Sequence, residues 1–191
     1  MNRVVTPPAR EPLLLDALYQ HLRLDVFGGY TEDDLWLEAT TKAVRQWCEG
    51  YLESSIGPQL REWKVDCLSG MLEIPYGPVS AIESIAYVDE AGVSQLFVDY
   101  IADGGRVVPV TVWPRVRRQP GAVTIRYYAG YDLPGDSPQT WPLPEAVKSA
   151  MLLLIGHLYE NRESTSATKL EEIPMGVASL LEPYRRRLSM A

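Results

Sequence analysis

The sequence predicts an α+β fold in which a helical core is interrupted by an inserted antiparallel β module. Apolar residues recur at helical spacings before residue 60 and again after residue 144. Between 61 and 131 they alternate with a period of two, and the two patterns do not interleave as βαβ units would require. The expected organisation is 1–60 for an N-terminal arm and the first helices, 61–131 for the β module, and 132–191 for a linker, a long helix and a C-terminal arm completing the helical core.

The first stretch, MNRVVTPPAREP, has no apolar segment after its early arginine and reads as an extended, proline-stiffened arm, not a secretory leader. In LLLDALYQHLRLD, Ala17, Leu18, His21 and Leu22 share one face of a short amphipathic helix ending before Gly28-Gly29. The next helix opens at Thr31, a candidate N-cap. Asp34 makes a capping-box-like pair with it, and Glu32 and Asp33 add charge that the helix dipole favours. Leu37, Val44, Trp47, Cys48, Tyr51 and Leu52 mark its buried side. Glu38, Lys42, Arg45 and Glu49 are expected in water, and Gly57-Pro58 is the expected stop.

From Arg61 the period changes. Trp63, Val65 and Cys67 alternate with Lys64 and Asp66, Ser69-Gly70 offers a turn, and Leu72 and Ile74 resume the pattern, predicting a hairpin. A second hairpin is expected from Ile82, Ile85, Tyr87 and Val88 through the Asp-Glu-Ala-Gly turn to 93–98. Pro109 and Pro114 predict an edge or interrupted strand in RVVPVTVWP. In GAVTIRYYAGY, Val123, Ile125 and Tyr127 face one way and Thr124, Arg126 and Tyr128 the other.

The linker DLPGDSPQTWPLP leads to Pro144, placed at the first position of a helix over 145–162. That helix holds the most apolar run of the chain, SAMLLLIGHLY. A membrane span needs about 20 apolar residues, and this run reaches roughly half of that before Glu160, Asn161 and Arg162. It therefore reads as a helix buried on several sides. ESTSATKLEEIP is a polar connector, and GVASLLEPYRRRLSMA a short closing helix or arm.

With 191 residues, 46% of them hydrophobic, the chain has the composition of a globular protein. Its net charge of -7 disfavours a general affinity for DNA or anionic membrane. Cys48 and Cys67 lack CxxC spacing, which suits a reduced, cytoplasmically made protein. No GxGxxG or GxxxxGK[ST] pattern occurs, and the acidic groups sit at a helix start, in a turn (Asp89, Glu90) and in a connector (Glu171, Glu172).

His21 and His157 read as buried or half-buried imidazoles on apolar faces, and Cys48 as a small hydrophobe. A nucleophilic Cys48/His157 pair, or a metal held by both histidines and both cysteines, is the minor alternative, since the spacings match no short ligand pattern. Neither cofactor nor metal is expected. Two arginine clusters, Arg115/Arg117/Arg118 and Arg185/Arg186/Arg187, either stay solvated or meet an acidic protein surface or DNA phosphates. Five tryptophans and eleven tyrosines suit contact surfaces as well as cores.

Several stretches taken in order resemble one family. They are LDALYQHLRLD, EATTKAVRQWCEGYL, LEIPYGPVSAIESIAYVDEAG, WP at 113–114, VTIRYYAGY, LPEAVKSAMLLLIGHLYENRE and IPMGVASLLEPYR. The chain is similar to the head-tail connector (adaptor) proteins of long-tailed bacteriophages and gene transfer agents, most specifically at LYENRE and P-x-G-V-x-x-L-L-x-P-Y-R. It departs from their pattern at its longer N-terminal arm and at Tyr19 and Gln20.

The resemblance implies a structural virion protein without catalysis. It would be assembled in the host cytoplasm and placed in the neck as a ring, commonly of twelve subunits, beneath the portal. It would contact a stopper or tail-completion protein, and double-stranded DNA would pass through its lumen without sequence-specific binding or any membrane contact. A stopper or tail-terminator ring is the neighbouring alternative, and a small Cys/His hydrolase a distant one. Carried over by position, Leu180, Leu181, Tyr184, Arg185 and Arg186 are the implied portal contacts, and Glu160, Arg162 and Glu163 the implied inter-subunit groups.

Overall fold

The computed structural model describes residues 1–27, 29, 31–133, 141–161 and 175–186. In chain order its elements are β1 (Asn2–Thr6), α1 (Leu15–Leu22), α2 (Asp34–Leu52), β2 (Gln59–Val65), β3 (Leu72–Glu73), β4 (Val79–Val88), β5 (Ser94–Phe97), β6 (Tyr100–Asp103), β7 (Arg106–Pro109), β8 (Val123–Ala129), α3 (Glu145–Glu160) and α4 (Met175–Leu181), with a 3-10 turn at Glu182–Tyr184. Helices plus antiparallel sheets make this the α+β fold expected.

The strands form a five-stranded sheet in the order β1-β2-β8-β4-β5 and a three-stranded sheet in the order β3-β7-β6. The central strand β8 carries the cleanest alternation: Val123, Ile125 and Tyr127 are fully buried, while Arg126 and Tyr128 point outward. Its inner face meets Leu72 and Val107 of the smaller sheet, and Ile74 just after β3, in a core separate from that of the helices. The Tyr127 hydroxyl donates to the Pro75 carbonyl at 2.8 Å and accepts from Asn2 Nδ2 at 2.7 Å, so even this buried polar group is satisfied.

Several expectations are corrected here. The hairpin read across Ser69-Gly70 does not form, because β2 pairs with β8 and β1 while β3 pairs with β7. Alternation shows which side of a strand is buried, not which strand lies beside it. The N-terminal arm is extended as expected, and Asn2–Thr6 pairs with β2 as an edge strand. Pro109 closes β7, an interruption as expected, yet β7 is the middle strand of its sheet and not an edge. The second hairpin, β4 to β5, forms as expected.

In the helical core, Leu18, Leu37, Val44, Cys48 and Leu52 pack against Val147, Met151, Ile155, Val177 and Leu181. The α2 helix starts at Asp34 with Asp33, not Thr31, at its N-cap; Thr31 and Asp34 still pair, Asp34 Oδ1 accepting the Thr31 hydroxyl at 2.6 Å and its N–H at 3.1 Å. It ends at Leu52, five residues before the expected stop, with Glu53 in the left-handed region. The cause lies in Glu49, whose Oε1 accepts the Ile56 N–H at 2.9 Å and Gln59 Nε2 at 2.8 Å, drawing the chain out of the helix and into β2. Arg45 and Glu49, expected in water, are therefore both buried, with Arg45 bonded to Glu11 at 2.7 Å and to Glu49 at 3.1 Å.

The helical core meets the sheet where Gly57 touches the end of β8. A Cβ on Gly130, whose φ is 132°, would overlap the Gly57 carbonyl, so only glycine fits. The two ends of the linker are held together by Asp132, whose N–H donates to the Trp141 carbonyl at 2.7 Å and whose Oδ2 accepts the Trp141 N–H at 2.6 Å. Pro144 sits one position before α3, at its N-cap, and α3 stops at Glu160, where Asn161 Nδ2 donates to the His157 carbonyl at 2.8 Å.

Candidate functional site

The C-terminal segment is bound to the body of the chain along most of its described length. Val177 and Leu181 of α4 are fully buried, with Leu180 partly buried beside them. Leu181, implied as a portal contact, thus faces the chain's own core and anchors the segment in this structure. Tyr184 and Arg185 are exposed. Tyr51 Oη donates to Glu182 at 2.9 Å, and the Arg185 guanidinium lies 5.5 Å from the Tyr51 ring centre. The bond to the Glu182 carboxylate, with burial adding to it, raises the pKa of Tyr51 above the usual tyrosine value.

Arg186 is pinned at both ends: its N–H donates to the Leu52 carbonyl at 2.9 Å, and Nη2 lies 3.5 Å from Glu73 Oε1. It therefore bridges the end of α2 and the smaller sheet. Between them opens a groove of about 310 Å³ lined by Pro78, Tyr131, Trp141, Tyr184, Arg185 and Arg186. Trp, Tyr and Arg are the residue types that dominate protein contact energies.

The open face of the five-stranded sheet is a second surface, missed by the sequence reading. Register places Arg3, Glu62, Arg126 and Ser84 in one outward row and Lys64, Thr124, Ala86 and Leu96 in the next. Glu62 lies at its centre, almost wholly covered, accepting from Arg3 Nε at 3.0 Å and Arg126 Nε at 3.1 Å, with Lys64 Nζ at 3.9 Å. Burial opposes its ionisation, but Arg126, Arg3 and Lys64 outweigh that and hold the carboxyl below its usual range. The signal was present in the alternation of β2, which puts Glu62 and Lys64 on the face opposite Trp63.

A third surface forms where α2 begins and α3 ends. Tyr19 Oη donates to Asp34 at 2.8 Å, Tyr159 Oη donates to Asp33 at 2.7 Å, and Trp36 meets Tyr159 edge-on with ring centres 5.7 Å apart. Burial first, then the Asp34 carboxylate with Asp16 and Glu38 nearby, pushes the Tyr19 hydroxyl up to about 12. Asp34 is held low chiefly by the Thr31 hydroxyl. Glu160 is exposed at this end, whereas Arg162 and Glu163 lie outside the described residues, as does Arg187.

His21 is exposed, not buried as expected, and His157 is half-buried with Nδ1 3.4 Å from Asn161 Nδ2. Cys48 is fully buried in the helical core, and burial pushes its thiol up to about 12. Among the described residues no three of His, Cys, Asp and Glu converge in a metal cage, and no helix is long and apolar enough to cross a membrane.

No family model matches the chain, and no curated protein matches it. Solved structures do. Over 99% of this chain and 98% of the other, it superposes on a chain from the neck of an empty gene transfer agent particle computed with C6 symmetry, with a TM-score of 0.76 and 24% identity. At the same coverage it matches a chain in the virion of a native gene transfer agent particle (TM-score 0.74, 24% identity) and one in the native neck computed with C12 symmetry (TM-score 0.72, 22% identity). At these identities the likeness shows a shared fold, spanning the whole of this chain from β1 to the C-terminal segment.

Proposed function

We propose that the chain is a structural neck subunit of a phage-like particle, a head-tail connector that forms a ring beneath the portal and surrounds the path of the DNA. The observation that carries this reading is the end-to-end fold likeness to chains of particle necks imaged with sixfold and twelvefold symmetry. The distribution of apolar surface supports it. Helix α3 is apolar beyond the stripe its own core needs, leaving Leu153 44% and Leu158 38% exposed. A ring interface is heterologous and requires two different faces on each subunit.

In this reading Tyr184, Arg185 and Arg186, with Leu180 at their base, contact the portal, while Leu181 holds them in place. Glu160, Arg162 and Glu163 belong to the contact between neighbouring copies. The net charge of -7 suits a conduit wall that does not retain phosphates.

The test is co-sedimentation of the full chain with the portal protein of the same particle, repeated with Tyr184→Ala/Arg185→Ala. The expected result is a portal-bound ring that the double variant weakens at least about tenfold, as loss of an aromatic and arginine hot spot does. No binding by the wild type, or density for the chain below a different adaptor ring in imaged particles, would replace this reading with that of a stopper or terminator ring.

A further inference from the structure

We propose that the open face of the five-stranded sheet is one half of the contact between ring neighbours, and that the acidic end of the helical core, where α2 begins and α3 ends, is the other half. This rests on the ring reading above and names the two faces.

Charge carries the inference. On a chain of net charge -7, the outward rows of the sheet gather Arg3, Lys64 and Arg126 around Glu62, with the α-amino group of Met1 donating to the Lys64 carbonyl at 3.0 Å; the exposed Glu83, which accepts from the Tyr128 hydroxyl at 3.4 Å, leaves the face with more cations than carboxylates. These side chains remain 57%, 46% and 45% exposed. Glu62 holds two of the cations by direct bonds, so their geometry is set before any partner arrives. The exposed Tyr128 and Leu96 flank them.

The complementary surface is on the same chain. Asp16 shares a groove with Tyr19 and Arg23, and another with Glu38, Lys42 and Arg10; with Glu32, Asp33, Asp34 and Glu160 at the same end of the helices, carboxylates outnumber these cations. Leu35, 82% exposed in the first turn of α2, and Leu158 of α3 supply apolar contacts there.

A basic, partly apolar face and an acidic, partly apolar end on two different regions of one subunit are what a head-to-tail ring uses. Duplex DNA is the weaker candidate for the basic face. Two of its cations are already bonded to Glu62, and the negative charge of the whole chain repels phosphate.

The experiment uses two reversed forms of the full chain that leave the Arg3–Glu62–Arg126 cluster in place: Lys64→Glu/Ser84→Glu/Thr124→Glu on the sheet, and Glu32→Lys/Glu38→Lys/Glu160→Lys on the helical end. Ring formation is followed by sedimentation, on the portal if the free chain stays monomeric, with thermal melting to establish that both forms fold. The expected result is that each form alone needs a concentration at least about tenfold higher to assemble than the wild type. An equimolar mixture should restore the ring, because every contact in an alternating ring again joins opposite charges.

Folded variants that assemble like the wild type, or a mixture that does not recover, would overturn the proposal. So would unchanged self-association in a sheet variant that has lost binding to a short DNA duplex. If the wild type forms no ring even with the portal, the ring reading itself fails and takes this inference with it.

Discussion

In the helical core the Glu49 carboxylate is sealed inside the chain, held by Arg45, Gln59 and the Ile56 N–H. In the sheet Glu62 is equally covered, yet what covers it is Arg3 and Arg126, whose guanidinium groups remain open to solvent. One carboxylate joins two parts of a single subunit, and the other displays cations. The contrast extends to the elements around them. The helices enclose their core from several sides with α1 to α4, whereas the five-stranded sheet covers one face with β3 and β7 and leaves the other bare. Glu49 thus fastens the inside of the subunit, whereas the Glu62 cluster faces outward.

The sharpest way to break this division is Leu154→Asp in α3. Leu154 is buried in the helical core, and an unpaired carboxylate there should cost more than about 4 kcal/mol and abolish folding. Loss of the helical circular dichroism signal checks it. A folded, assembly-defective protein would mean that this residue serves contact and not the core.

Glu49→Ala comes next. It leaves the Ile56 N–H and the Gln59 amide without their acceptor and should destabilise by roughly 3–5 kcal/mol in urea melts, the range for breaking a buried charged cluster. The retained Arg45–Glu11 bond sets the lower end of that range.

Tyr127→Phe removes the hydroxyl that joins Asn2 to Pro75 and should cost about 1–3 kcal/mol, with the β1 amides losing hydrogen-exchange protection first. The smallest effect is that of pH on β1. Because Glu62 has a folded-state pKa below its unfolded value, its contribution is present at neutral pH and is lost as the pH falls through that depressed value. Protection of β1 should therefore weaken on acidification below about pH 4, and Glu62→Gln should flatten that dependence.

Much of the fold was legible because short-range pattern and local chemistry agree along α2, β4 to β5 and β8. The errors share one cause: they concern partners distant in sequence. Nothing near Arg45 or Glu49 announces Glu11 or Gln59, so a solvated helical stripe was the natural reading of two buried groups. The extended form of the β1 arm was legible, but its pairing with β2, some sixty residues away, was not. Tyr184 and Arg185 are exposed, as a contact would require, but Leu181, picked from the same motif, serves the core, since a motif does not say which side of its helix faces inward. The Glu62 cluster escaped notice because its members come from three strands.

Imaging the neck of the particle that carries this chain, without imposed symmetry, tests the central claim most directly. The expected result is a closed ring of copies between portal and tail, each placing its open sheet face against the start of α2 and the end of α3 of the next. Copies outside the neck, or a ring in which that sheet face looks into solvent, would contradict it.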